Sequence, residues 1–521
     1  MCTKKYLRLA SIVYLCIVVL PEPVAGQAQP AVGAGFSSAP DFTRVMLVDP
    51  ATDTANSQGA AWVDYDGDGD LDLSVANIDG TGNFLYQNDG QGHLDRVTSG
   101  ALATDQIQAH GLCWADADND DDLDVFMAGP NSTMYVNDGA GNFTAANPAS
   151  TFGTTDLRGW ACAWADYDVD GFVDLVITHP AGFVGQPPTS NHLFHNRGDG
   201  TFEQVTDSPV TTGQAPYTVA TWSDFDLDGD PDLFIGAGPA NGTPGPDFVY
   251  RNMLAETGSA DFVRVTDGPL ATRVRDGQVI NWIDYDNDGD FDVYVTNWGG
   301  ATGVGGIRDE LYRNDGGTLV EITTGNIVTD KQVSLASDWG DFDNDGDLDV
   351  YVSDGNGGRT SRLYDNNGDG TFTRLITGAI ISDQGASWGA TAGDFDDDGD
   401  LDLFVANATP GSQNFLYRND LANGNHWLKI RTVGTASNRA GIGAILRARA
   451  VINGVPTWMM RDVSSQNSFN GHNDLTVHFG VGDAVSVDSL IVIWPSGARD
   501  LYEDVDPDQT ITVTEGESPT T

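Results

Sequence analysis

Asp64-Tyr65-Asp66-Gly67-Asp68-Gly69-Asp70-Leu71-Asp72 sets an aspartate at positions 1, 3, 5, 7 and 9 of a nine-residue stretch. The pattern D-x-D-x-D-G-x-x-D returns, with small departures, at Asp116, Asp166, Asp224, Asp284, Asp341 and Asp394, at intervals of 52, 50, 58, 60, 57 and 53 residues. Positions 1, 3, 5 and 9 can turn their carboxylates towards one centre, position 7 can add its backbone carbonyl, and Gly at position 6 permits the positive φ of a sharp turn. Carboxylates gathered this closely repel one another unless a cation joins them, and hard oxygen donors on a flexible loop suit Ca²⁺.

The expected calcium ligands of the first loop are therefore Asp64, Asp66, Asp68, Asp70 and Asp72, and those of the second are Asp116, Asp118, Asp120, Asp122 and Asp124. The third loop offers Asp166, Asp168, Asp170, Phe172 (through its carbonyl) and Asp174, and the fourth Asp224, Asp226, Asp228, Asp230 and Asp232. Asp284, Asp286, Asp288, Asp290 and Asp292 make the fifth. Asp341, Asp343, Asp345, Asp347 and Asp349 make the sixth, and Asp394, Asp396, Asp398, Asp400 and Asp402 the seventh. Asp121 replaces Gly at position 6 of the second loop and tolerates positive φ only at a cost, so that site is expected to be the weakest. Position 12 is Val75, Met127, Ile177, Ile235, Val295, Val352 or Val405, apolar every time, so the loop joins two strands and is no EF-hand.

The flanks complete a repeating unit. Trp62, Trp114, Trp164, Trp222, Trp282 and Trp339 stand two residues before the first Asp, with Ala392 in the seventh copy. Their recurrence in six units reads as packing between neighbours. After the loop, apolar residues alternate with period two, as in Leu71, Leu73 and Val75, which marks a strand with one buried face. A second strand closes on aromatic-x-Asn at Tyr86/Asn88, Tyr135/Asn137, Phe194/Asn196, Tyr250/Asn252, Tyr312/Asn314, Tyr364/Asn366 and Tyr417/Asn419. Gly-rich turns then lead to further strands such as Thr371-Phe372. Seven four-stranded units of about fifty residues predict an all-β fold, a seven-bladed β-propeller over residues 41–420. The seventh unit lacks its last strand, and Phe42-Thr43-Arg44-Val45 resembles it, so the N-terminal strand is expected to close the ring. Longer stretches, Pro180 to Ser190 and Asn241 to Asp247, read as loops on one face, where repeat proteins often bind.

The bulk numbers agree with an organised acidic protein. The 521 residues include 76 acidic and 25 basic side chains, a formal charge of −51, yet 40% are hydrophobic and 12 are Trp. This is too apolar for a solvated coil and too acidic for a nucleic-acid partner. Lys4, Lys5 and Arg8 precede the apolar run Leu9 to Leu20, with small residues to Ala28, which reads as a secretory signal over 1–28. No later stretch is apolar enough to span a bilayer. Cys113 and Cys162 precede their Asp loops at offsets differing by one residue, which points them to opposite strand faces, so a disulfide is possible but not the default.

From Asn425 the Asp loops cease. Alternating runs such as Trp427-Leu428-Lys429-Ile430 and Leu490-Ile491-Val492-Ile493-Trp494 predict a small separate β-sandwich over 425–516, then a flexible tail, 517–521. The Asp loops with their F/Y-x-N followers resemble FG-GAP/VCBS repeats. The tail resembles the ASPIC/UnbV domain through Asn425-His426-Trp427-Leu428, Ser437-Asn438-Arg439-Ala440-Gly441-Ile442-Gly443-Ala444 and His478-Phe479-Gly480 running to Trp494-Pro495-Ser496-Gly497. Together they resemble the cartilage acidic protein family over nearly all of the mature chain. The resemblance implies an extracellular calcium-binding protein with no assigned reaction. Where that family carries a Gly-rich segment, this chain has Ser464-Ser465-Gln466-Asn467-Ser468-Phe469.

Sharper signals are few. Arg197-Gly198-Asp199 matches an adhesion tripeptide, but the same turn in the sixth repeat reads Asn367-Gly368-Asp369. His192 and His195 face opposite ways on one strand and make poor joint ligands, and His110 reads as a packed histidine more readily than a channel group. No catalytic residue is identified. The expected function is a secreted, monomeric binding or adhesion module, loaded with up to seven Ca²⁺, for an extracellular glycan or protein; in a bacterium its place would be the periplasm or the cell surface. The alternative is a polysaccharide-acting enzyme on a propeller scaffold.

Overall fold

The computed structural model describes residues 39–179, 189–238, 244–299 and 307–517. The secretory signal, residues 180–188 and 241–243 of the two long insertions, and residues 518–521 lie outside the described residues. Nearly all regular structure is β. The first Asp loop joins Ser57–Val63 to Asp72–Asn77, and Phe84–Asn88 and Leu94–Arg96 follow in order across one antiparallel sheet. Six further Asp loops sit in the same place in six further four-stranded sheets, here numbered 1 to 7 in loop order. Sheet 7 takes its outermost strand from the other end of the chain: Phe42–Val45 pairs antiparallel with Phe415–Asn419, Phe42 opposite Asn419 and Val45 opposite Leu416. The fold is a β-propeller, closed in the way the sequence implied.

Face-to-face packing of successive sheets supplies the core. Trp62 is fully buried and stacks on Phe395 of sheet 7 at 5.6 Å, while its Nε1 donates to Thr391 O at 3.1 Å. Trp222 stacks on Tyr167 and Trp282 lies 5.0 Å from Phe225, each pairing a repeat tryptophan with the position-2 aromatic of the preceding loop. The tryptophans are thus spacers between sheets. Cys113 and Cys162 require a correction to the expectation drawn from their offsets: they form a disulfide, Cα to Cα 6.0 Å. Opposite facing is the cause. A ring of sheets brings one face of sheet 2 against the other face of sheet 3, so side chains of opposite parity meet across the gap.

The tail forms two packed sheets. Val477–Gly482, His426–Val433 and Gln509–Thr514 make one, and Val455–Asp462, Ile445–Ile452, Val487–Ile493 and Arg499–Val505 the other. Leu428, Ile430, Leu446, Phe479, Leu490 and Val492 fill the space between them. The tail packs against the ring, and residues 39–517 fall within one compact unit.

The join is made along the axis of the ring. After Asp462 the chain enters the centre of the propeller and returns at Leu475. The innermost strand of each sheet is an edge whose peptide groups lack a strand partner, and this segment supplies one. Ala61 of sheet 1 forms a parallel bridge with His472. Leu112 N donates to Asn470 O at 3.2 Å, Trp114 N to His472 Nε2 at 3.1 Å and Ala392 N to Asn473 Oδ1 at 2.9 Å. Trp164 N donates to Ser465 Oγ at 2.8 Å, and that hydroxyl donates back to Trp164 O at 2.7 Å. Asn281 Nδ2 reaches Asn467 O, and Asn473 Nδ2 reaches Asp338 Oδ1. Phe469, 1% exposed, packs between Trp160 and Trp388. Six of the seven sheets therefore touch one plug.

Candidate metal centres

Each Asp loop is tied down by its own carboxylates. The position-1 Asp accepts the amides of positions 5 and 6: Asp170 N and Gly171 N both reach Asp166 at 2.9 Å, and Asp228 N and Gly229 N reach Asp224 at 2.9 and 3.0 Å. The position-9 Asp receives the amide of the Asn that ends the neighbouring strand, at 2.7–2.8 Å in every sheet from Asn88–Asp72 to Asn419–Asp402. That Asn then spans the gap between sheets. Asn137 Nδ2 donates to Tyr65 O, Asn196 to Ala117 O, Asn252 to Tyr167 O, Asn366 to Tyr285 O, Asn419 to Phe342 O and Asn88 to Phe395 O, all at 2.7–2.8 Å. Each acceptor is position 2 of the preceding loop. The aromatic-x-Asn motif is thus a clamp that locks one Asp loop to the next. In sheet 5, Asn314 Nδ2 donates to Phe291 O at 3.1 Å, inside its own sheet.

Backbone conformation at position 4 escaped the sequence reading. Positive φ was expected at position 6, and it is there (Gly69 +96°, Asp121 +79°), but position 4 is left-handed as well. Asn119, Asn287 and Asn344 at this position have φ of 57–60° and donate from Nδ2 to the position-6 carbonyls of the following loops, Gly171, Gly346 and Gly399. Val169 (φ 57°) and Leu227 (φ 58°) adopt the same conformation without such a bond. The position-7 side chain, in turn, reaches the bend that follows the Asn. Asp290 accepts Gly316 N and Asp400 accepts Leu421 N, both at 2.9 Å, while Phe172 lies so close to Gly198 that a β-carbon there would fall 2.6 Å from its ring. This close approach explains the glycine of Arg197-Gly198-Asp199, where Asp199 Oδ1 caps Thr201 as Asp369 caps Thr371 in sheet 6.

The fit to a hard cation follows from burial. Burial pushes the position-9 carboxyls of Asp72, Asp232 and Asp292 up to about 9 and those of Asp124 and Asp174 up to about 8. Asp116, Asp166, Asp224 and Asp284 at position 1 are raised to about 7 by the same cause. Ionising such groups needs a compensating cation. Buried oxygens at Asp64 Oδ1, Asp66 Oδ1, Asp168 Oδ1, Asp226 Oδ1, Asp232 Oδ2, Asp286 Oδ1 and Asp396 Oδ1 have no hydrogen-bond donor. A dication has open acceptors to bind in these loops.

The tail covers the loop-bearing side of the ring and places basic groups on it. Lys429 Nζ sits 2.6 Å from both Asp394 and Asp397, and Arg439 grips Asp121. Arg461 is buried beside Asp341 and Asp284. Together tail and loops enclose a cavity of about 470 Å³ lined by Lys429, Arg431, Arg461, Trp222, Trp282 and Trp339. His110 is a packed residue: Nδ1 meets Gln58 Oε1 at 2.8 Å, the ring rests on Trp160, and burial lowers it to about 3.

Comparison with known proteins follows the same division of the chain. An FG-GAP-like repeat family model matches residues 64–127, 116–177, 183–235, 224–295, 284–352 and 341–405, and an ASPIC and UnbV model matches 434–520. Cartilage acidic protein 1 of Mus musculus is 24% identical, covering 90% of this chain and 76% of that protein. The Homo sapiens protein of the same name is 23% identical, with 88% and 72% covered. Among solved structures, BBS1N in complex with ARL6DN, soaked with mercury, aligns at 10% identity and a TM-score of 0.44, covering 74% of this chain and 98% of that one. The Dos1 propeller aligns at 12% and 0.39, covering 68% and 77%. With its repeats matched over more than half of its length, the chain belongs to the FG-GAP-like repeat family and carries a C-terminal ASPIC and UnbV domain.

Proposed function

We propose that this protein is an extracellular, calcium-loaded propeller that serves as a binding module for a glycan or protein ligand. Calcium supports the ring by neutralising the Asp loops, a role suited to weak oxygen sites bathed in extracellular calcium. Seven Ca²⁺ would move the formal charge of −51 to about −37. The Cys113–Cys162 disulfide fits an oxidising compartment, in line with the secretory signal read from the sequence.

The observation that carries the binding reading is the filled axis. Residues 465–473 run through the centre of the ring and hydrogen-bond its inner strands, so the axis is taken up by the chain's own backbone and side chains. The tail covers the loop side, so the opposite side, where the second and third strands of each sheet connect, is the surface for a ligand. Calcium-loaded protein would be incubated with a panel of polysaccharides and matrix proteins, reading both protein retention and polymer length. Retention on intact polymer is expected, and shortened polymer would replace this reading with an enzymatic one. In parallel, excess chelator should lower the melting temperature sharply, because metal binds the folded state alone. An unchanged melt would remove calcium from the proposal.

A further inference from the structure

In sheets 1, 3, 4 and 7 the strand residue between the aromatic and the Asn lies against the position-3 Asp of its own loop. Gln87 Nε2 donates to Asp66 Oδ2 at 2.6 Å, Arg251 Nη2 is 2.7 Å from Asp226 Oδ2, and Arg418 Nε is 3.9 Å from Asp396 Oδ2. Sheets 2, 5 and 6 have Val136, Arg313 and Asp365 at this place. Val136 is apolar, and an Arg guanidinium offers donors only, so neither can ligate a metal. Asp365 adds one more oxygen to the sixth loop. His195 of sheet 3 alone brings a nitrogen.

Its position matches that of a ligand. His195 Nδ1 is 3.1 Å from Asp168 Oδ2 and 3.3 Å from Asp174 Oδ1, and one ligand atom from each of the three residues lies within 4.8 Å of the others. Two ligands on a tetrahedral ion with bonds of about 2.0–2.1 Å are separated by about 3.3 Å. Nδ1 lies within ion-pair distance of both carboxylates but is aligned for a hydrogen bond with neither, and Asp168 Oδ1 accepts no hydrogen bond. Both atoms belong to one cluster, whose third member, Asp174, has no exposed side-chain surface. Imidazole among carboxylates converts a hard oxygen site into a mixed nitrogen–oxygen one. That donor set favours a divalent transition metal over calcium, which takes oxygen ligands and more of them.

We propose that the third loop is a site for a divalent transition metal of the zinc class, held by His195 Nδ1 with the carboxylates of Asp168 and Asp174, while the other loops take calcium. The inference rests on reading the Asp loops as cation sites, and its test separates the two. Full-length protein is equilibrated in millimolar calcium with two equivalents of Zn²⁺ and dialysed against calcium buffer. Bound zinc and calcium are then counted by elemental mass spectrometry. One zinc per chain is expected beside the calcium. His195→Gln should lose that zinc while keeping its calcium and its melting temperature, since glutamine already stands at this strand position in sheet 1. His93→Gln, which alters an exposed histidine, should keep the zinc. Calcium without zinc in the wild type, or zinc unaffected by His195→Gln, overturns the inference alone. Retention of neither metal overturns the calcium reading with it.

Discussion

Asn366→Ala tests whether the aromatic-x-Asn motif is a clamp between metal loops. Asn366 is 2% exposed, and its Nδ2 donates to Tyr285 O at 2.8 Å in the preceding loop and to Leu348 O at 3.1 Å in its own, while Oδ1 accepts Gly368 N at 3.2 Å. Truncation orphans three backbone groups. At about 1–3 kcal/mol for each, reduced where water enters, the loss is about 3–5 kcal/mol. Asn314 in sheet 5 is the control. It is as well buried, but its side chain bonds only Phe291 O and Gly317 N, both within sheet 5, so Asn314→Ala should cost about 2–3 kcal/mol. Urea unfolding in saturating calcium measures both. Calorimetric titration should show one calcium site weakened about tenfold in Asn366→Ala, equivalent to about 1.4 kcal/mol, because Tyr285 is position 2 of the fifth loop. Asn314→Ala should leave the neighbouring fourth loop intact. Equal destabilisation by the two variants, with no calcium site weakened in either, would refute the clamp.

Val169→Asn should stabilise the protein by about 1–2 kcal/mol by removing a β-branched residue from left-handed backbone, and the side chain could bridge to the next loop as Asn119, Asn287 and Asn344 do; a lower urea midpoint would contradict this. Phe469→Ala should cost about 3–5 kcal/mol by opening a cavity between Trp160 and Trp388, detectable as a quenching change in tryptophan fluorescence as well as in unfolding; a loss below about 1 kcal/mol would mean the plug carries no packing energy. His472 is neutral, with Nε2 accepting Trp114 N and Nδ1 facing Asn473 O at 2.6 Å, and burial lowers it from 6.5 to about 4. A folded value below the unfolded one means that stability is complete above pH 6.5 and lost as pH falls towards 4, by about 3 kcal/mol. The advantage of wild type over His472→Gln should therefore shrink between pH 7 and 4.5, and a constant gap would exclude the linkage.

Much of the architecture was legible because it repeats. The Asp spacing fixed the strand–loop–strand unit, the tryptophans marked the gaps between sheets, and Phe42–Val45 supplied the missing strand with its register intact. Relations that depend on the ring were not legible. The clamp joins Asn137, Asn196, Asn252, Asn366 and Asn419 to carbonyls 72 to 85 residues away, with no local trace beyond the Asn itself. Cys113 and Cys162 misled for the same reason: parity decides contact within one sheet, and the reverse parity decides it between sheets. At position 4, Val169 and Leu227 hid a left-handed residue, because neither side chain advertises positive φ. Sequence proximity pairs His195 with His192, whereas its neighbours in space are Asp168 and Asp174. Nothing in the Ser-, Gln- and Asn-rich segment marks it as a plug, because its polarity serves edge strands instead of water.

The axial plug also sets the order in which the molecule can be made. Its residues follow all seven Asp loops in the chain, so the ribosome delivers them after every sheet has emerged. Until then Trp114, Trp164 and Ala392 have no partner for their axial amides, and the nascent ring is hollow. A chain broken off anywhere before Ser465 therefore lacks the piece that unites six sheets, however complete its repeats. Adding this one segment is what turns a hollow ring into a solid one.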